Sequence, residues 1–507
     1  TRAEVSAIRD LMYFYLIRAF RDVPYTTEAF VDDSQKMDLP ATPFDEVLNN
    51  LIADLESVRP YAVTKYPENK PLYQFGRITR DCIDAMLCDM YLWKQDYSNA
   101  VKYADYVLER RMAENKKNVY RLLDQLIDAY MPTAVKEVEA IEKFARKTEG
   151  KDFKIEPWDF AFYSHKLKLK KYNIDAEMLR PYLQLDKVID GVFGLANRLY
   201  GITFKENKDI KVYHPDVKAY EVFDNDGKYL AVFYADFYPR KGKQGGAWMT
   251  EYQGQYIDRK GVNVRPHVSV VMNFTKPTDD KPALLTLGEV ETFLHEFGHS
   301  LHGMFANTRF ESLSGTNVRW DFVELPSQFM ENYAVEKEFL RTFAFHYQTG
   351  EPLPDELIDR IVKSRNYNVA YACMRQVSFG LLDMAYYTLK EPFDEDIMEF
   401  EKKAWKRAMV TKQTEGTCMT VQFSHIMAGG YSAGYYSYKW AEVLDADAFS
   451  VFKRNGIFDR ETAQRFRDCI LSKGGTEHPM TLYKRFRGGE PTIKALLKRN
   501  GIKGTQI

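Results

Sequence analysis

Between Glu291 and Ser300 the chain reads Glu-Thr-Phe-Leu-His-Glu-Phe-Gly-His-Ser, which sets His295 and His299 four residues apart with Glu296 directly after the first. On an α-helix, residues four apart share a face, so both imidazoles can address one metal ion. Zinc suits two neutral imidazoles, leaves room for a water, and draws that water's pKa toward neutrality. Glu296 would lie beside such a metal and could take the water's proton. The spacing therefore names a metal, a nucleophile and a base together. The plainer alternative is a surface helix that carries two histidines and a glutamate without a task.

A site of this kind needs a third protein ligand, and a carboxylate from a second helix is one established solution. Downstream, residues 314–328 read Ser-Gly-Thr-Asn-Val-Arg-Trp-Asp-Phe-Val-Glu-Leu-Pro-Ser-Gln. Glu324 lies 25 residues after His299, enough chain for a loop and a returning helix. Glu311, Asp321, Glu331 and His302 compete with it. His302 follows His299 by about one turn, but its angle drifts off the metal face. Glu331 shares a helical face with Glu324 and could instead support an imidazole from behind. Glu291, one turn before His295, could orient an imidazole or simply face water. Periodicity leaves this choice open.

Attack of a metal-activated water on a carbonyl would build a tetrahedral oxyanion, which needs donors placed where charge develops. Residues 423–438, Phe-Ser-His-Ile-Met-Ala-Gly-Gly-Tyr-Ser-Ala-Gly-Tyr-Tyr-Ser-Tyr, carry such donors in His425, Tyr431, Tyr435 and Tyr438. Ala428-Gly429-Gly430 gives a backbone free to bend them onto a bound peptide. Simple aromatic packing on a helix is the competing account, and spacing alone does not choose.

Taken together, these blocks resemble the catalytic half of the thimet-oligopeptidase/peptidyl-dipeptidase (Dcp-like) zinc metallopeptidases, over residues 112–507. The resemblance is carried by His295-Glu296-Phe297-Gly298-His299, by Asp321–Gln328 with its Phe-x-Glu-x-Pro-Ser-Gln pattern, and by residues 423–438. It implies that Glu324 is the third zinc ligand beside His295 and His299, with one zinc per chain and Glu296 as base. It further implies that His425 and Tyr438 stabilise the transition state, with Tyr431 and Tyr435 nearer the substrate. The segment Leu313–Asn317 is closer to the peptidyl-dipeptidase branch than to the oligopeptidase A branch. The large helical N-terminal half of such peptidases has no counterpart here.

The elements that must position these groups read as mainly helical. Helices are predicted at about 116–148, 175–200, 284–303, 320–337, 354–364, 367–388, 394–409, 431–454 and 459–470. A small β region precedes the zinc helix. Ala219–Asp224 and Tyr229–Phe237 flank Asn225-Asp226-Gly227, a strong hairpin signal. Val268–Phe274 is a further apolar strand that could pair with an extended peptide by strand addition, and Gly245–Met249 is a second candidate or a plain loop.

The first 111 residues differ in character. Helices are expected at about 4–21, 44–57, 78–93 and 99–110, and apolar residues recur at three and four spacing on both sides of the turn at Gln95–Ser98. Large residues on one helix facing Ala100 and Ala104 on the next resemble a tetratricopeptide pair. This segment resembles the helical part of the SusD/RagB family, glycan-binding lipoproteins of bacterial outer membranes. The lipidated cysteine and most glycan-facing loops of that family have no counterpart, so oligosaccharide binding by residues 1–111 is not expected. The seam is expected near Glu109–Asn115. Together with a start at Thr1, it fits a natural fusion, a truncation or a join made in sequence assembly.

Composition narrows the rest. A chain of 507 residues with 45% hydrophobic and 14% aromatic content supports two to four domains, a sizeable core and an aromatic-lined cleft. A net charge of −1 favours neither nucleic acid nor an anionic membrane. Cys82, Cys88, Cys373, Cys418 and Cys469 are odd in number and lack CxxC spacing, so they read as free thiols. The apolar run Leu11–Ile17 is too short to span a bilayer. Bacterial cytoplasm and periplasm both remain open, with outer-membrane association only if a leader has been lost.

The expectation is a helical zincin-type catalytic region with a small sheet, preceded by a tetratricopeptide-like segment. It would hydrolyse short peptides, releasing C-terminal dipeptides or cutting oligopeptides. The competing classes are a SusD-like glycan-binding protein of nutrient uptake and an inactive composite.

Overall fold

The computed structural model describes residues 2–29, 38–64, 77–108, 111–391 and 393–503. The described chain is mostly helical with a small sheet. It divides into two compact units, residues 1–119 with 384–396, and residues 120–383 with 397–507. No helix among the described residues is long and apolar enough to cross a membrane.

In the first unit, α1 (Arg2–Phe20), α2 (Phe44–Val58), α3 (Arg80–Trp93) and α4 (Tyr97–Leu108) follow the predicted positions closely. The apolar stripe of α2, running Phe44, Val47, Leu48, Leu51, Ile52, Leu55 and Val58, is buried along its whole length. It shares one core with Ala7, Phe14 and Ile17 of α1 and with Leu87 and Met90 of α3. Each large apolar side chain so removed from water contributes about 1.5–3 kcal/mol. Tyr91 and Tyr103 both donate to Glu56 Oε1, at 2.7 and 2.8 Å, and thereby tie the α3/α4 hairpin to α2. Ala100 is buried as expected, whereas the Ala104 side chain lies outside the described part. So do Glu109 and Arg110 of the expected seam. In sequence, the change of unit falls at residue 119, inside α5 (Lys116–Glu149).

The second unit holds α6 (Leu185–Tyr200) and a five-stranded sheet of β1 (Thr203–Glu206), β2 (Lys218–Phe223), β3 (Tyr229–Asp236), β4 (Trp248–Gln253) and β5 (His267–Val271). The strand order is β1-β2-β3-β5-β4. All pairs are antiparallel except β3 with β5. The predicted hairpin closes on Gly227, whose φ of +78° is open to glycine at little cost. The strand-addition expectation for residues 268–274 is corrected here. β5 lies between β3 and β4 with its backbone groups already paired, so the edge strands are β1 and β4, and β4 is the one next to β5.

Further helices include α7 (Leu287–Met304), α8 (Trp320–Glu331), α9 (Val369–Tyr387), α10 (Ile397–Trp405), α11 (Ser437–Asn455) and α12 (Lys494–Arg499). Several predicted helices are shorter than expected, among them residues 394–409, which are α-helical only over α10. Residues 175–200 break into a short helix, a 3-10 turn carrying Pro181, and α6. Residues 320–337 stop as α-helix at Glu331 and continue as the 3-10 turn Asn332–Val335. Residues 431–454 become helical only at Ser437, because Ala433 adopts a left-handed φ of +50°. A helix at Phe160–Tyr172 was not expected; it buries only Tyr163 and Leu167, too few to print a stripe.

Candidate metal centre and active site

α7 is started by Thr286, whose hydroxyl accepts from the Glu289 backbone while the Glu289 carboxylate accepts from the Thr286 N–H, a reciprocal cap. The face of α7 opposite the histidines carries Phe293 and Phe297. These pack edge-on against Phe237 and Phe233, at 5.0 and 5.8 Å between ring centroids, so the sheet fixes the helix from behind. α8 crosses α7 at Gly298. A Cβ on Gly298 would meet Pro326 O at 2.3 Å and Ser327 Cα at 2.6 Å. The glycine inside the histidine motif thus allows the backbone contact that brings Glu324 to the imidazoles.

The geometry there is convergent. Glu324 Oε2 lies 3.4 Å from His295 Nε2 and 3.2 Å from His299 Nε2. His295, Glu296 and His299 also offer ligand atoms within 4.8 Å of one another. Four ligands at zinc's usual bond lengths stand about 3.3 Å apart along each tetrahedral edge, the spacing that these two contacts have. Behind the site, Glu331 Oε1 pairs with His295 Nδ1 at 2.6 Å, leaving Nε2 to face Glu324. Ser327 Oγ donates to Glu324 Oε2 at 2.9 Å, and the Tyr431 hydroxyl donates to Oε1 at 2.7 Å. Both carboxylate oxygens of the buried Glu324 are therefore held in place.

Without a metal, these groups share charge strongly. Burial alone would raise the Glu324 pKa, but the His299 and His295 imidazoles hold it well below the usual carboxylate range. Burial alone would lower His295, yet Glu324 and Glu331 hold it well above its ordinary value. Glu296 is raised by its burial, against the opposing pull of His299 and His295, and the Met249 backbone N–H on β4 faces its carboxylate. A negative ligand oxygen drawn to two imidazole nitrogens, with a second carboxylate behind one of them, is the donor set zinc prefers.

The remaining competitors have other duties. His302 is fully buried, pushed down to about 3 by burial and the neighbouring His299, and neither ring nitrogen has a partner among the described residues. Glu311 accepts from the Gly254 backbone at 2.9 Å, and Asp321 accepts from the Tyr436 hydroxyl at 2.9 Å. Glu291 is exposed, and Glu331 occupies the supporting position that Glu291 was considered for.

The structure brings the four donors of residues 423–438 into one aromatic cluster. His425 stands 5.9, 5.8 and 6.4 Å, centroid to centroid, from Tyr431, Tyr435 and Tyr438, and Tyr431 stacks on Tyr438 at 5.1 Å. Trp320 at the start of α8 packs against Tyr431, 4.6 Å between ring centroids. His425 is exposed. Burial, then the Glu324 charge, push the Tyr431 and Tyr438 hydroxyls far above their ordinary range, so both stay protonated donors. Tyr435 differs: its ring is buried and its hydroxyl donates to Gln376 Oε1 at 3.0 Å. Ser327, Gln376 and the supporting role of Gly298 were not singled out from sequence. Ser327 sits one turn after Glu324, a spacing that could have flagged it.

The description of peptidase family M3 matches residues 96–502. Oligopeptidase A of Escherichia coli (strain K12) is 45% identical over 404 residues, covering 79% of this chain and 59% of the relative. Dipeptidyl carboxypeptidase of the same organism is 38% identical over 408 residues, with the same two shares covered. Saccharolysin of Saccharomyces cerevisiae (strain ATCC 204508 / S288c) is 32% identical over 418 residues, covering 79% of this chain and 58% of the relative. The chain spans about three fifths of the length of these relatives.

Proposed function

Because the chain belongs to peptidase family M3, we propose that it is a zinc-dependent peptidase of short peptides, cutting oligopeptides or releasing C-terminal dipeptides. The observation that carries this reading is Glu324 Oε2 at 3.2–3.4 Å from the Nε2 atoms of both motif histidines, with Glu296 in the same cluster. His295, His299 and Glu324 would hold the ion. When bound, zinc supplies the Lewis acidity that polarises the scissile carbonyl and acidifies a water.

The chain's own residues do the rest. Glu296 takes the proton of the attacking water and passes it to the leaving amine; its raised pKa suits both halves of that transfer. His425 and Tyr438 donate to the oxyanion as it forms. Tyr431 steadies Glu324 through its hydroxyl and lines the substrate's approach, whereas the expected substrate role of Tyr435 gives way to packing against His425, its ring buried and its hydroxyl held by Gln376. The free edge of β4, which runs beside Glu296, offers backbone groups to an extended peptide.

Purified protein reconstituted with zinc should cleave a quenched-fluorescent peptide with a blocked N-terminus and a free C-terminus. A chelator should abolish the cleavage and Glu296→Gln should lack it. Mass spectrometry of the products separates dipeptide release from internal cleavage. No cleavage of any short peptide by the zinc-loaded chain would overturn the reading.

A further inference from the structure

Asp383 lies near the end of α9 with no exposed surface. Its carboxylate points at the backbone of the tyrosine segment: Oδ1 accepts from the Ala433 N–H and Oδ2 from the Tyr435 N–H, each at 2.8 Å. Between those amides the chain takes a left-handed turn at Ala433, φ +50°, a conformation a residue with a Cβ adopts only when its surroundings hold it there. Two donors two residues apart need two acceptors in one plane, which a carboxylate supplies and a neutral amide does not.

The turn decides where the functional groups point. Immediately before it, the Tyr431 hydroxyl reaches Glu324; immediately after it, α11 begins and carries Tyr438 back to stack on Tyr431. The turn is also braced by the Ser432 hydroxyl on Ile426 O at 2.7 Å and by the Tyr431 N–H on His425 O at 2.9 Å. A residue that sets this turn therefore sets the angle between Tyr431, Tyr438 and His425.

We propose that Asp383 is a positioning residue of the active site, which holds Ala433 left-handed and so aims Tyr431 and Tyr438. This rests on the peptidase reading above. Asp383 acts on the tyrosine segment through the backbone amides of Ala433 and Tyr435.

The test is a double-mutant cycle on the zinc-loaded chain with Asp383→Asn, Tyr438→Phe and the pair. Asp383→Asn keeps the volume but can accept only one of the two bonds. It should lower kcat by about 10-fold or more, leave KM within about 3-fold, and keep one zinc per chain. In the Asp383→Asn background, Tyr438→Phe should cost little more, because an unaimed hydroxyl is already lost. Fully additive effects, or an unchanged kcat, would overturn the proposal.

If Asp383→Asn does not fold, Ala433→Val provides the second route, since a branched side chain disfavours positive φ at a half-buried position. It should show the same kcat loss, and Ala433→Gly should stay near wild type. A wild-type rate in Ala433→Val would overturn the proposal. A wild-type chain inactive on every peptide would instead sink the functional reading, and limited proteolysis then decides the inference alone. New cuts confined to residues 427–436 in Asp383→Asn support it; an unchanged pattern overturns it.

Discussion

Gly298 and Ser327 bring α7 and α8 backbone to backbone, so close that a Cβ at residue 298 would stand 2.6 Å from Ser327 Cα. This contact places Glu324, one turn earlier on α8, against His295 and His299. Gly298→Ala should overpack the crossing, at a cost of about 1–3 kcal/mol, and separate the carboxylate from the imidazoles. The expected outcome is a lower Tm together with weaker zinc binding, read by thermal melts and metal titration.

Zinc content should single out the ligands. His295→Ala, His299→Ala and Glu324→Gln should each lose the metal, whereas Glu331→Gln, which only supports His295 Nδ1, should retain it with affinity reduced by roughly 10–100-fold. Elemental analysis checks this. Loss in Glu331→Gln with retention in Glu324→Gln would reverse the assignment.

Glu296→Gln should keep zinc and lose nearly all turnover, because an amide cannot take the proton. Burial raises Glu296, so activity requires its deprotonation at a pH above the usual carboxylate value of about 4.3. The acid limb of kcat/KM should therefore fall at a pH above that value as pH is lowered. His425→Ala and Tyr438→Phe should each lower kcat by roughly 10²–10³ with smaller changes in KM.

Zinc binding should release a proton. In the metal-free chain His295 is held above its ordinary pKa by Glu324 and Glu331, against the effect of burial, and is therefore charged near neutrality. Zinc must displace that proton, so apparent affinity should rise with pH up to the raised value and level off beyond it. The same pairing stabilises the metal-free fold fully below about pH 6.5 and is lost as pH climbs through the raised value. Calorimetry in buffers of different ionisation enthalpy should report about one proton released per zinc at neutral pH.

Much of this was legible in the residues themselves. The period-four spacing of His295 and His299 requires one helical face, and the amphipathic stripes of α2 and α6 dictate helices wherever they fold. The hairpin at Asn225-Asp226-Gly227 is local chemistry and formed where expected. Resemblance to a family, rather than spacing, selected Glu324 from its competitors.

Sequence could not say which strand is the edge, because β4 and β5 differ in partners rather than in pattern. Nor could it show that residues 431–436 leave the helix. The left-handed Ala433 is imposed by Asp383 from 50 residues away, and no local propensity encodes a contact of that range. The choice of Glu331 over Glu291 behind His295 was likewise decided by the crossing of two helices at Gly298. Local spacing determines which groups are present and on which face; only the packed backbone determines which of them meet, because meeting requires distances set by chain segments remote in sequence.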